Sequence, residues 1–336
     1  MLPDMNDTNA IAPIPFNDSQ EPKTRDDYRR AGQRANTVRT YQAALRHYER
    51  VWQGRLPATP DQIADYLVAF ADKHKPSTLK NRLSALSRWH NEHGFPNPVS
   101  TPVVRAVLKG VRVEHATPPA KARPLSLATL KTVVDHLERA AVVAGDKGDH
   151  GACARALRDR ALFLLGFWKG FRADDLSEVS VDRLEFTAEE MRIYFPKSKG
   201  DRGNLGVWHQ MPVLAAYCPV QACQDWLRGA DISSGPLFRG ITRWGVIGDT
   251  GMHPGSIVDV LRRALAAAGV ENAESYSSHS LRRGLASWAD SQGWSPALLM
   301  KHVGWKSIIT ATGYIDPSLR EVGKRIDRAL GGQARG

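Results

Sequence analysis

Apolar residues recur every three or four positions through most of this 336-residue chain, and one short stretch breaks that rhythm. Val38, Tyr41, Leu45, Tyr48 and Trp52 mark a first helix that begins near Asn36 and stops at Gly54. Thr59-Pro60-Asp61 opens a second, with Thr59 placed to cap and Pro60 suited to the first turn. Its apolar face is Ile63, Leu67, Val68 and Phe70. A third starts at Ser77-Thr78 and carries Leu79, Leu83, Leu86 and Trp89 to Gly94, and a fourth spans about Pro102 to Gly110. These four helices predict a small all-α domain over residues 25–115. Residues 1–24 are polar and aperiodic, the composition of a disordered tail.

The segment ATPPAKARP at 116–124 is Pro-rich, basic and without period, so residues 116–125 read as an extended linker. Helical spacing resumes at Ser126 with Leu130, Val133, Val134 and Leu137, and again from about Ala156 to Trp168, ending at Gly170. The break in rhythm follows. Met191 to Phe195 and Val207 to Met211 alternate with period two around a turn rich in Lys, Gly, Asp and Asn, which predicts a hairpin. From Ser256 onward the helical pattern returns. The expected fold is therefore mainly α: an all-α N-terminal domain, then an α+β domain over 126–336 with a small antiparallel sheet.

Composition narrows the function classes. No apolar run approaches the ~18 residues of a membrane span. The N-terminus has acidic residues and no basic region followed by an apolar one, so no secretory signal is expected. Cys153, Cys218 and Cys223 form no Cys-x-x-Cys pair, which suits reduced thiols in a cytoplasmic protein. The net charge of +11 is unevenly spread: residues 21–125 hold 19 Lys/Arg against 9 Asp/Glu. A basic first domain before a milder second one suggests a polyanion gripped by the first for chemistry in the second.

The C-terminal half supplies residues for that chemistry. Moving a phosphoryl group requires cations that fit two non-bridging oxygens, a nucleophile, and a proton for the leaving oxygen. Arginine suits the first task because its planar fork donates two parallel hydrogen bonds. Arg172 follows the apolar helix in Gly170-Phe-Arg-Ala-Asp-Asp175, at a turn. His279 and Arg282 stand three apart in Ser278-His-Ser-Leu-Arg-Arg-Gly284, on one helical face, with Leu281, Leu285 and Trp288 facing inward. Ser295-Pro296 starts a helix ending at Gly304-Trp305, Ser307 caps a last turn, and Tyr314 lies nine residues after Trp305. Beyond it, Leu319, Val322, Ile326 and Leu330 form an amphipathic stripe.

This ordered set (Arg, hairpin Lys, His-x-x-Arg, Gly-Trp, then Tyr nine residues on) resembles the tyrosine recombinase, or phage integrase, family over residues 30–330. The resemblance implies a helical core-binding (SAM-like) DNA-binding domain in front of the catalytic domain. It implies that Arg172 and Arg282 clamp the scissile phosphate, that His279 and Trp305 donate hydrogen bonds, and that Tyr314 attacks. The product would be a 3′-phosphotyrosyl link and a free 5′-hydroxyl, with no metal, cofactor or ATP. Lys199, in Pro196-Lys-Ser-Lys-Gly200, is the expected general acid, with Lys197 as the rival. The partner implied is a double-stranded DNA recombination site, bound by a homotetramer whose subunits are monomers in free solution. The stripe after Tyr314 would dock on a neighbouring protomer. A nucleoid-associated cytoplasmic protein with no membrane contact fits that role. The sequence departs from the commonest pattern twice. Trp305 stands where His is usual, as in Cre, and its indole can donate but not shuttle a proton. Asp175 stands where Glu is common and is expected to orient a catalytic neighbour with reduced reach. Two other readings of the same residues are a type IB topoisomerase-like enzyme and a catalytically silent DNA-binding regulator.

Overall fold

In the computed structural model, residues 24, 35–116, 122–196, 206–305, 307–308 and 313–314 are described. The chain divides into two units, 1–119 and 120–336, each with its own apolar core. Residues 1–23 of the predicted tail, residues 117–121 of the linker, the loop bearing Lys197 and Lys199, and the stripe after Tyr314 lie outside the described residues.

Among the described residues, the first unit holds four α-helices: α1 (Ala35–Arg46), α2 (Pro60–Phe70), α3 (Pro76–Glu92) and α4 (Pro102–Glu114). The rhythm expected to run as one helix to Gly54 switches after Arg46 to a π-helical turn, His47–Val51. Thr59 forms a reciprocal capping box with Gln62, satisfying two backbone donors that the start of α2 would otherwise orphan. α4 runs past Gly110 to Glu114, because a glycine with open space around it costs a helix only about 1 kcal/mol. The core comprises Tyr48, Ile63, Tyr66, Leu67, Leu79 and Leu86, all fully buried. Buried His90 is fully paired: Nε2 accepts from the Ala58 N–H at 2.9 Å and Nδ1 donates to the Leu86 carbonyl at 2.8 Å.

In the second unit, α5 (Leu127–Asp146) is capped by Ser126, and α6 (His150–Lys169) by Asp149. α6 starts well before the expected Ala156, since its first turns bury only small residues, Gly151 and Ala154. It ends at Gly170 in a left-handed conformation (φ 58°), where a Cβ would meet Leu285 and Val303 at 3.1 and 3.3 Å. A short helix α7 (Ala173–Ser177) leads to a three-stranded antiparallel sheet of β1 (Leu184–Phe186), β2 (Glu190–Phe195) and β3 (Val207–Pro212), in that order. Met191, Ile193 and Phe195 point into the core, with Ile193 opposite His209 and Met191 opposite Met211. Then come α8 (Pro219–Gly229), a hairpin of β4 (Arg239–Ile241) and β5 (Ile247–Gly251), α9 (Pro254–Ala267), α10 (Ser278–Ser291) and α11 (Pro296–Val303).

The fold is mainly α with small antiparallel sheets, and more of them than the periodicity suggested: β1 and the β4–β5 hairpin add to the expected pair. Strands of three residues, or strands carrying Gly248 and Gly251, are too short and too glycine-bearing to print a period-two pattern. The main core gathers Phe163, Phe167, Phe171, Trp226 and Phe238. A smaller cluster beside it contains Leu285, Ala289, Leu299, Val303 and Trp305, with Tyr314 packed against it. Among the described residues no helix is long and apolar enough to cross a membrane.

Candidate active site

The site forms where the start of α10, the end of α11 and the turn after α6 meet. Ser277 opens α10: its hydroxyl accepts from the His279 N–H at 3.2 Å, and the Ser280 hydroxyl accepts from the Ser277 N–H at 2.9 Å. His279 sits in that first turn, exposed, and Arg282 one turn later is only 2% exposed. Arg282 Nη1 donates to the Gly170 carbonyl at 2.7 Å, while its Nε is buried without a partner among the described residues. The guanidinium carbon lies 4.6 Å from the Trp305 ring centroid and 5.3 Å from that of Tyr314. Burial, followed by the nearby charge of Arg172, pushes the Arg282 pKa down to about 10, while Tyr314 and Asp175 pull it back up. Arg282 therefore stays cationic at neutral pH, in a spot where an anion would be stabilised.

Three rings lie nearly parallel beside it. Tyr314 and Trp305 have centroids 5.1 Å apart with planes 21° apart; Tyr314 and His279 are separated by 6.5 Å and 20°. Trp305 is 7% exposed, and its Nε1 has no acceptor among the described residues. A buried N–H normally has a partner, and no described residue supplies one to this donor. Gly304 aims the indole from a left-handed backbone (φ 82°) pressed against His209, where any Cβ would come within 2.8 Å of the ring.

Arg172 is the residue just before α7. The Asp175 carboxylate accepts its backbone N–H at 2.9 Å and lies 3.8 Å from its Nη1, so Asp175 holds Arg172 from both ends. The Arg172 guanidinium lies close enough to lower the proton affinity of Arg282, and one carboxylate, Asp175, against two such positive charges leaves a net positive site. Together with an indole N–H that has no acceptor among the described residues and a half-buried phenol, that is a geometry for an anion with several oxygens and an attackable centre.

The model of the phage integrase family matches residues 149–320 of the chain. An integrase/recombinase XerD homologue from Selenomonas ruminantium is 30% identical over 266 residues, 78% of this chain and 74% of that protein. The chain belongs to the phage integrase family. It is a site-specific DNA recombinase of the tyrosine type. The fold agrees. A solved lambda integrase tetramer bound to a Holliday junction superposes with a TM-score of 0.54 at 17% identity, over 87% of this chain and 76% of that one. A Tn1549 transposon integrase in complex with a circular intermediate DNA gives 0.57 at 14% identity, over 90% and 96%.

Within this phage integrase domain, six residues singled out from the sequence come together: Arg172, Asp175, His279, Arg282, Trp305 and Tyr314. Lys199 and its rival Lys197 fall outside the described residues. The sequence pattern assigned no role to Lys169, His209 and His302, which cluster behind the site. Lys169 Nζ donates to the carbonyls of His302 and Gln210, the latter at 3.3 Å, and His302 Nε2 lies 2.6 Å from the Trp168 carbonyl. Burial, then Lys169, His302 and Arg282, push the His209 pKa down to about 3, so its ring is neutral. The only sequence signal was a lysine closing a strongly apolar helix, which reads equally well as a solvated C-terminal charge.

Proposed function

We propose that the enzyme cuts and rejoins DNA through Tyr314. In this reading Arg172 and Arg282 hold the non-bridging oxygens of the scissile phosphate, and the Tyr314 hydroxyl attacks phosphorus, its proton passing to His279. The phosphorus–5′-oxygen bond breaks, and the departing oxygen takes a proton from Lys199, or failing that from Lys197. The 3′-phosphotyrosyl link keeps the energy of the phosphodiester, so a second 5′-hydroxyl reverses the step without ATP, metal or cofactor. Trp305 fills the second donor position, Cre-like, and stabilises charge on the phosphate without moving a proton. Asp175 keeps Arg172 aimed.

The observation that supports this reading best is the position of the Tyr314 ring, on the indole of Trp305 and over the buried guanidinium of Arg282. The partner is a double-stranded recombination site. Residues 25–115 act as the core-binding domain, 116–125 as linker and 126–336 as catalytic domain. Like the lambda integrase tetramer on its Holliday junction, the protein would assemble on DNA as a homotetramer, joined by the segment after Tyr314 and monomeric when free. It would act in the cytoplasm, at the nucleoid. The test uses a duplex selected by the purified protein from a randomised pool and nicked so that the cleaved end diffuses away. The reading expects protein bound to the 3′ end and a free 5′-hydroxyl, with no multi-turn relaxation of supercoiled DNA lacking the site. A 5′-linked adduct, or no adduct on DNA that is bound, contradicts it.

A further inference from the structure

Lys169 is 2% exposed at the end of a helix buried in the core, and its two acceptors are backbone carbonyls rather than a carboxylate. Burying an ammonium is costly, and hydrogen bonds without a paired anion offset only part of that cost. What the lysine joins is informative. The His302 carbonyl belongs to the last turn of α11, where carbonyls lack helical partners, and a lysine there satisfies one and complements the helix dipole. The bond is reciprocated: a carbonyl can only accept, so His302 Nε2 donates to Trp168, the residue before Lys169. The second acceptor, on Gln210, belongs to β3. The adjoining Gly170 carbonyl takes the Arg282 guanidinium, and Arg172 follows two residues later.

The end of α6 thus grips three elements at once, and Trp305 leaves α11 just after that grip. His209 closes the arrangement, pressed against Gly304 and edge-on to Phe171 and Phe195, with centroids 5.3 and 5.4 Å away. An apolar residue in place of Lys169 would fill the space but leave the end of α11 held by its own helix, by packing and by the single bond from His302 Nε2 to the Trp168 carbonyl. We infer that Lys169 is a positioning residue for DNA cleavage: through the end of α11 it fixes the Trp305 indole against the turn that carries Arg172 and holds Arg282. This rests on the reading of Trp305 as a donor to the phosphate.

A double-mutant cycle tests it. Lys169→Met, Trp305→Phe and the pair are compared in single-turnover cleavage of the selected nicked duplex, with DNA affinity measured in parallel. Lys169→Met is expected to slow cleavage ~10-fold or more, the scale of a small misplacement at a reacting centre, while affinity stays within about threefold. In the Trp305→Phe background the same substitution should cost less than about threefold, because residues acting through one group are not additive. An equal loss in both backgrounds overturns the inference and leaves the donor reading intact. A Trp305→Phe enzyme as fast as wild type overturns both. Should Lys169→Met not fold, His302→Ala enters the same cycle; its loss should be rescued by His302→Gln, whose amide keeps a donor for the Trp168 carbonyl. Failure of that rescue counts against the inference.

Discussion

Trp305→Phe separates the two functions of the indole. The substitution keeps an aromatic face against Arg282 at 4.6 Å and against Tyr314 at 5.1 Å, and removes a buried indole N–H that has no acceptor among the described residues. If that N–H donates to a phosphate oxygen as charge builds, losing it removes one preorganised donor, ~10²-fold in rate or about 2.7 kcal/mol of barrier. Stability should barely change, since removing an unpaired buried donor carries no desolvation penalty. Trp305→Ala must cost more. It also loses the ring contacts, about 0.5–1.5 kcal/mol for the aromatic pair and about as much again for the cation–π contact, and opens a cavity worth about 3 kcal/mol or more of stability. Single-turnover cleavage of a nicked duplex measures the rate, and urea unfolding measures the stability. A Trp305→Phe enzyme cleaving within about threefold of wild type would refute the donor role and reduce Trp305 to a packing residue.

Arg282→Ala should abolish measurable cleavage and also destabilise the fold by about 1–3 kcal/mol, because the buried Gly170 carbonyl loses its donor; a variant as stable as wild type would show that this bond contributes little. Gly304→Ala should cost about 2–4 kcal/mol on unfolding, from a strained left-handed backbone plus the 2.8 Å approach to His209; a loss under about 1 kcal/mol would mean the loop relaxes freely. His209 gives a pH signature. Its folded pKa of about 3 lies below the ordinary 6.5, so the folded protein binds fewer protons between those values. The stability that depends on a neutral ring is complete above pH 6.5 and falls as pH drops toward 3, with Lys169, His302 and Arg282 facing the ring and opposing its charge. Between pH 7 and 5 wild type should lose about 2 kcal/mol more than His209→Gln in urea titrations; equal losses would remove His209 from that role.

Local rules decided which parts of this molecule were legible from its sequence. Thr59, Ser126 and Ser295 cap where their side chains can reach orphaned N–H groups, and those helix starts read directly. Arg172, His279, Arg282, Trp305 and Tyr314 were findable because order and spacing carry the signal even though each residue alone is commonplace. The β4–β5 hairpin was not legible, because Arg239–Ile241 is too short to alternate and β5 carries glycines. Neither was the grip around Lys169. It is made of backbone carbonyls from His302 and Gln210, and no residue type advertises where its carbonyl will point.

The most direct test of the account compares wild type with Tyr314→Phe on the same nicked duplex, reading covalent protein–DNA adduct after denaturation alongside site affinity. The phenylalanine variant keeps the ring on Trp305 and over Arg282 and loses only the hydroxyl. The account predicts wild-type affinity with no adduct, and a wild-type adduct that maps to Tyr314. An adduct that persists in Tyr314→Phe would contradict it.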